Sequence, residues 1–250
     1  HPRELMSLVV DVVSIFPGMF SPVLGFGMTG RALSKSVVEL HITDLREHTT
    51  DKHRSTDDAP YGGGSGMVML IEPLTRALSA IEAIRGRGHR MLMSPAGRPL
   101  TQSRVRELSR LPHLVFLCGR YEGVDDRILD YIDEEVSVGD FVLSGGELPA
   151  MVVIDAVARL LPGVLHNANS SEDESFQNGL LEYPQYTRPA DFEGRAVPSV
   201  LLSGNHEQIR RWRRQMSLLR TWQRRPELLQ QMELSAEERG LLDGTAGRFA

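Results

Sequence analysis

The chain has 250 residues, 41% of them hydrophobic and 24% charged, with a formal net charge of −5. These values fit a globular protein with room for one large domain or two modest ones. They do not by themselves advertise a nucleic-acid partner, and no apolar run approaches the ~20 residues that span a bilayer as a helix. Cys118 is the only cysteine, which excludes an internal disulfide and points to a cytoplasmic home. Set in a short apolar run, it reads as a small packing residue rather than a catalytic thiol.

His1 to Leu5 lacks the apolar core of a signal peptide, and Met6 is a candidate start. Leu8 to Ile15 is rich in valine and predicts a strand, ended by Phe16-Pro17-Gly18. Gly25, Gly27 and Gly30 match the dinucleotide fingerprint G-x-G-x-x-G, with Asp44 near the downstream acidic position. That fingerprint needs its first glycine directly after a strand, and Pro17 and Pro22 intervene, so a turn before a helix starting near Arg31 is the better reading. Val38 to Ile42 predicts a second strand. Thr49 to Gly66 is polar and then glycine-rich, without the Gly-Lys-Ser/Thr of a phosphate loop. It is either a plain surface loop or, through Lys52, His53 and Arg54, a contact for a phosphate backbone. Positions 74, 77, 78, 81 and 84 are an apolar helical stripe within Pro73 to Ile84. Arg90 to Met93 predicts a strand ending in Ser94-Pro95-Ala96-Gly97, and Thr101 caps a helix running to about Leu111.

Leu114 to Cys118 predicts a buried strand that breaks at Gly119. After an acidic connector, Phe141 to Leu143 predicts a further strand that breaks at Ser144-Gly145-Gly146. Alternating strands and helices argue for an α/β fold with a mostly parallel sheet and flanking helices, its ligands outside the carboxyl ends of the strands. Those ends are then Ser94-Pro95, Cys118-Gly119 and Leu143-Ser144. Glycine turns let backbone approach a ligand closely; two together could build a pocket of main-chain N–H and C=O groups suited to a flat heterocycle such as adenine. Either turn alone is ordinary punctuation.

Leu148 to Leu160 predicts a helix stopped by Pro162-Gly163, with Arg159 near its carboxyl end, where a cation complements the helix dipole. Residues 166–178 are polar and acidic and read as a linker. It divides an α/β domain, residues 6–165, from a small helical domain, residues 179–250. Asn205 and Gln208 form a capping box for a helix with the apolar stripe Ile209, Trp212, Met216 and Leu219. Arg210, Arg211, Arg213, Arg214, Arg220, Arg224 and Arg225 follow without an acid among them. Such a face is either solvated or binds RNA phosphates.

Three motifs carry a family resemblance: Asp57-Asp58-Ala59-Pro60-Tyr61-Gly62-Gly63-Gly64-Ser65-Gly66-Met67, Gly119-Arg120-Tyr121-Glu122-Gly123, and Gly139-Asp140-Phe141-Val142-Leu143-Ser144-Gly145-Gly146-Glu147. In this order they resemble the bacterial tRNA (guanine-37-N1)-methyltransferases, of the SPOUT class of knotted methyltransferases, from about Val9 to about Leu229. The resemblance implies a trefoil knot, which periodicity cannot show and ordinary connectivity rules would oppose. It implies S-adenosyl-L-methionine as methyl donor, tRNA bound through the anticodon stem-loop, and a homodimer. Magnesium is associated with the family's chemistry, but no metal-ligand set is readable here.

Residue by residue, the donor site falls on Met93, Ser94 and Pro95; on Gly119, Tyr121, Glu122 and Gly123; and on Val138, Gly139, Asp140, Phe141, Val142 and Leu143, with Gly145, Gly146 and Pro149 shaping the wall. Arg159 matches an arginine implicated in catalysis. For the general base, the family has an aspartate directly before Ser-Phe. Here that place is held by Glu174, with Asp173 before it; spacing favours Glu174 and residue type favours Asp173. A non-catalytic RNA-binding module on the same fold is the competing reading. A pure binder gains nothing from Glu172, Asp173 and Glu174 near phosphates, whereas removing a proton from guanine requires a base.

Overall fold

Residues 7–164, 175–176, 178–230 and 232–246 are described by the computed structural model. They fall into two units, divided between His166 and Asn167. In chain order the first unit contains β1 (Leu8–Ser14), α1 (Ser21–Leu24), α2 (Gly27–Ser34), β2 (Val38–Asp44), β3 (Asp57–Asp58), β4 (Val68–Met69), α3 (Ile71–Arg85), β5 (His89–Pro99), α4 (Gln102–Leu108), β6 (His113–Cys118), β7 (Glu134–Ser137) and α5 (Glu147–Ala158).

Five of these strands form one sheet in the order β2-β1-β6-β5-β7, and every pairing in it is parallel. All six residues of β6 are buried, so the run is apolar without alternation, as a strand covered on both faces requires. One face carries Val10, Val12, Met91 and Phe116, packed against Ile154 and Val157 of α5 and Val105 of α4. The other carries Val13, Val115 and Leu117 under Leu74, Leu78 and Ile81 of α3. That α3 stripe is the one expected from the sequence except at Ile84, which is 73% exposed.

Three local expectations are corrected. Phe141 to Leu143 is not a strand: these residues are irregular, and Val142 is 85% exposed. Gly139 has φ +149 and the Phe141 ring folds back onto it, which breaks the extended run. The third strand of the site is β7, hidden within the acidic connector because Glu134 and Glu135 disguise it. The Glu134 carboxylate is tied to Arg104 and, at 2.7 Å, to His89. Helix α2 begins at Gly27, not Arg31, because Gly27 takes φ +62 at the entry. Strand β5 runs past Met93 to Pro99, since Met93 and Arg98 both face Val136 and residues 94–97 bulge out between them.

The second unit holds the hairpin β8 (Asp191–Phe192) with β9 (Arg195–Ala196), then α6 (Ser199–Leu202), α7 (His206–Arg224), α8 (Pro226–Leu229) and α9 (Ala236–Ala246). Leu180, Leu218 and Leu242 form its small core. The Asn205 side chain accepts from Gln208 N–H at 3.1 Å and so caps α7. Buried Thr221 accepts from Leu181 N–H at 2.9 Å, which pins the preceding segment to α7. Of the predicted linker, 166–178, only Ser175, Phe176 and Asn178 are described.

A glycine-walled cleft at the strand ends

The carboxyl ends of β5, β6 and β7 point the same way because the strands are parallel. A cleft of about 290 Å³ opens there. From β5 come Met93, Ser94 and Pro95, and from the turn after β6 come Gly119, Tyr121, Glu122 and Gly123. The segment after β7 supplies Val138, Gly139, Phe141, Val142 and Leu143, and the last wall is Gly145, Gly146 and Pro149. The sequence-predicted donor residues thus converge, with one exception: Asp140 is exposed and does not line the cleft.

Close backbone approach explains the glycines. Gly146 N–H donates to the Gly119 carbonyl at 2.9 Å, and Arg120 and Gly145 form an antiparallel bridge. A Cβ on Gly146 would lie 2.9 Å from the Cys118 Cα and 3.1 Å from the Met93 Cβ. The Ser144-Gly145-Gly146 turn therefore rests directly on the end of β6. Upstream, Glu122 N–H donates to the Met67 carbonyl at 3.0 Å and Met69 N–H to the Gly123 carbonyl at 2.9 Å. Gly66 lies against the Glu122 side chain, so close that a Cβ would sit 2.3 Å from its Cγ. Two motifs far apart in sequence are one surface here.

Below the cleft, sequence reading missed a buried ionic group. Glu147, fully buried at the start of α5, accepts from the Ser14 hydroxyl at 2.6 Å and from Arg120 Nε at 2.9 Å. The Arg120 guanidinium lies 4.5 Å from the Phe16 ring centroid and lines the cleft. The available signal was position: Arg120 and Glu147 each sit inside a glycine motif, yet charges there read as solvated. Leu92, Val136, Ser137 and Val124 were also missed; they are floor residues whose only mark is apolar or small character. Burial, and then the Glu147 charge, push the Cys118 thiol well above its usual range. It stays protonated and packs, as its setting in the strand suggested.

Arg159 caps the carboxyl end of α5, whereas the cleft touches the amino end at Gly146. Thirteen residues separate them, about 20 Å at 1.5 Å per helical residue, and Arg159 does not line the cleft. Asp173 and Glu174 lie outside the described residues. Their neighbour Ser175 accepts from Glu182 N–H at 2.9 Å, and Arg225 lies over the Phe176 ring at 5.8 Å. Among the described residues, no group of three or more His, Cys, Asp or Glu side chains is placed to hold a metal ion. None of the described helices is long and apolar enough to cross a membrane.

Comparison with known proteins decides the family. Residues 8–231 match the family model described as tRNA (Guanine-1)-methyltransferase TrmD. The chain belongs to the tRNA (guanine-1)-methyltransferase family. A relative from Pasteurella multocida, named tRNA (guanine-N(1)-)-methyltransferase, is 51% identical over 94% of this chain and 97% of its own. One of the same name from Shewanella halifaxensis is 55% identical over 93% and 95%. The crystal structure of tRNA (m1G37) methyltransferase from Aquifex aeolicus aligns with TM-score 0.74 at 40% identity, covering 88% of this chain and 94% of that one. The parallel sheet with flanking helices and the helical carboxyl-terminal region are those of this methyltransferase family, whose donor is S-adenosylmethionine.

Proposed function

We propose that this methyltransferase transfers a methyl group from S-adenosyl-L-methionine to N1 of guanosine at position 37 of tRNA, next to the anticodon. The observation that carries the reading is the cleft itself, set at three parallel strand ends and walled by glycines that the backbone contacts require. The donor fits such a site: exposed main-chain groups suit adenine. Glu122, one of the residues that line the cleft, suits the cationic sulfonium and amino end. The donor supplies an electrophilic methyl group; the protein must place it and manage the guanine proton.

Guanine N1 carries a proton at neutral pH, so a base must remove it as the bond forms. Glu174 is the first choice and Asp173 the second, and general-base help of this kind is worth about 10²–10⁴ in rate. Negative charge that develops on the guanine carbonyl is met by Arg159, a fixed cation. The α7 arginines bind the anticodon stem-loop through its phosphates. A homodimer brings Arg159 and the linker of one subunit to the cleft of the other.

Radiolabelled S-adenosylmethionine mixed with the protein and bulk tRNA should label the tRNA. Binding without label would leave an RNA-binding module. Single-turnover transfer by Glu174→Gln and Asp173→Asn then assigns the base. The true base loses orders of magnitude in rate with donor affinity intact, and the other variant loses little. Near-wild-type rates in both would remove this segment from the mechanism.

A further inference from the structure

A second cavity lies in the helical unit, in residues the cleft does not use. Tyr183, Tyr186, Leu201, Ile209, Trp212 and Arg213 enclose about 180 Å³. Its walls are aromatic. The Tyr186 and Trp212 rings stand 6.4 Å apart and 52° from coplanar, and the Arg213 guanidinium lies 4.8 Å from the Tyr183 ring centroid. Two facts do not fit a finished core. Tyr186 is 49% exposed although it is a wall of the cavity. And Arg213 Nε is buried with no hydrogen-bond partner, the single such side-chain atom among the described residues. A buried charged donor without an acceptor is costly, and its partner is commonly a bound molecule or an ordered water.

We propose that this cavity receives an unstacked nucleobase of the RNA substrate; the proposal rests on the tRNA reading above and gives the helical unit a base-binding site in addition to its phosphate contacts. A flat heterocycle satisfies both anomalies at once. Its face covers the open side of Tyr186, as bases stack on aromatic rings in single-stranded recognition; once the Arg213 side chain shifts, as side chains at binding surfaces commonly do, a ring nitrogen or carbonyl on the base's edge accepts from its Nε, which is closed to solvent in the unbound chain. Exposed Arg210, one turn before Arg213 on α7, is within reach of the phosphate that carries the base. Duplex RNA offers no such base, so the ligand is a loop, bulge or end nucleotide.

The test uses the full chain and unmodified tRNA. Ultraviolet crosslinking followed by peptide mass spectrometry should place nucleotide adducts on Tyr186 or Trp212. Tyr186→Leu keeps apolar bulk but removes the stacking face; it should weaken tRNA binding about tenfold at fixed salt, while Tyr186→Phe binds as wild type. Donor affinity by calorimetry and the thermal unfolding midpoint of Tyr186→Leu should not move, which separates a lost contact from a damaged fold. No adduct on either ring, or wild-type tRNA affinity in Tyr186→Leu, overturns the proposal and leaves ordered water as the occupant. Failure of the wild type to methylate tRNA would instead strike the catalytic reading, because crosslinking and affinity are read without turnover.

Discussion

Gly146 shows how one residue type can be dictated by the space around it. The nearest neighbours of a Cβ there are the Cys118 Cα at 2.9 Å and the Gly119 nitrogen at 3.0 Å. The first is backbone of a fully buried strand and the second of the turn that ends it, and neither can give way as a flexible side chain would. Gly146→Val should therefore push the Ser144-Gly145-Gly146 turn off β6, deform the cleft wall and abolish S-adenosylmethionine binding. Calorimetry with the folded variant checks this, and donor affinity equal to wild type would show that the donor lies elsewhere. This glycine was legible because a glycine pair after an apolar run is a known signal. The Ser14–Glu147–Arg120 group was not. A glutamate and an arginine 27 positions apart give no local sign that one is wholly buried and neutralised by the other.

Strand β7 is the element that sequence reasoning misplaced. Hydrophobic patterning selected Phe141 to Leu143, which the structure leaves open to solvent, and passed over Glu134–Ser137. The charges that hide β7 are also what hold it. Burial alone would raise the Glu134 carboxyl, but hydrogen bonds from His89 and Arg104 outweigh it and keep it below its usual value of 4.5. At Asp133 burial is likewise outweighed, by Arg87 and the Arg90 N–H, and the carboxyl sits below 3.8. Both folded-state values are depressed, so the stabilisation is complete above the unfolded values and is lost as pH falls through the folded ones. Stability against denaturant should accordingly drop as pH is lowered below 4.5, with a shallower drop in Glu134→Gln. Superimposable acid limbs for the two proteins would show that these contacts contribute nothing to the pH dependence.

At the scale of the whole molecule, helix α5 poses a question that its own subunit does not answer. One face of α5 is core; Leu148 and Val152, each 50% exposed, lie on another with exposed Asp155. The spacing of 148, 152, 155 and 159 puts Arg159 on that same stripe. A helix with two apolar faces has a second surface to bury, and Val23 of α1 and Phe26, which precedes α2, are 54% and 76% exposed beside two helices that pack against α5. A second copy of the chain is the occupant we propose, and the roughly 20 Å between the cleft and Arg159 along α5 then gains a purpose if a partner's Arg159 is the one that serves the cleft. The helix and the arginine at its end are legible in the linear sequence, but the exposed stripe and the distance are not, since both require knowing which face of α5 is core and which end meets the cleft. Light scattering at micromolar concentration should give twice the 27.9 kDa chain mass. The sharper measurement is complementation. Gly146→Val lacks a donor site and Arg159→Ala lacks the cation, so each homodimer should be inactive. In a mixed dimer the intact cleft of the Arg159→Ala subunit faces the intact Arg159 of the Gly146→Val subunit, and methyl transfer should return, with one working site of the two. If mixed dimers form yet stay as inactive as their parents, Arg159 acts within its own subunit or not at all, and the shared site is wrong.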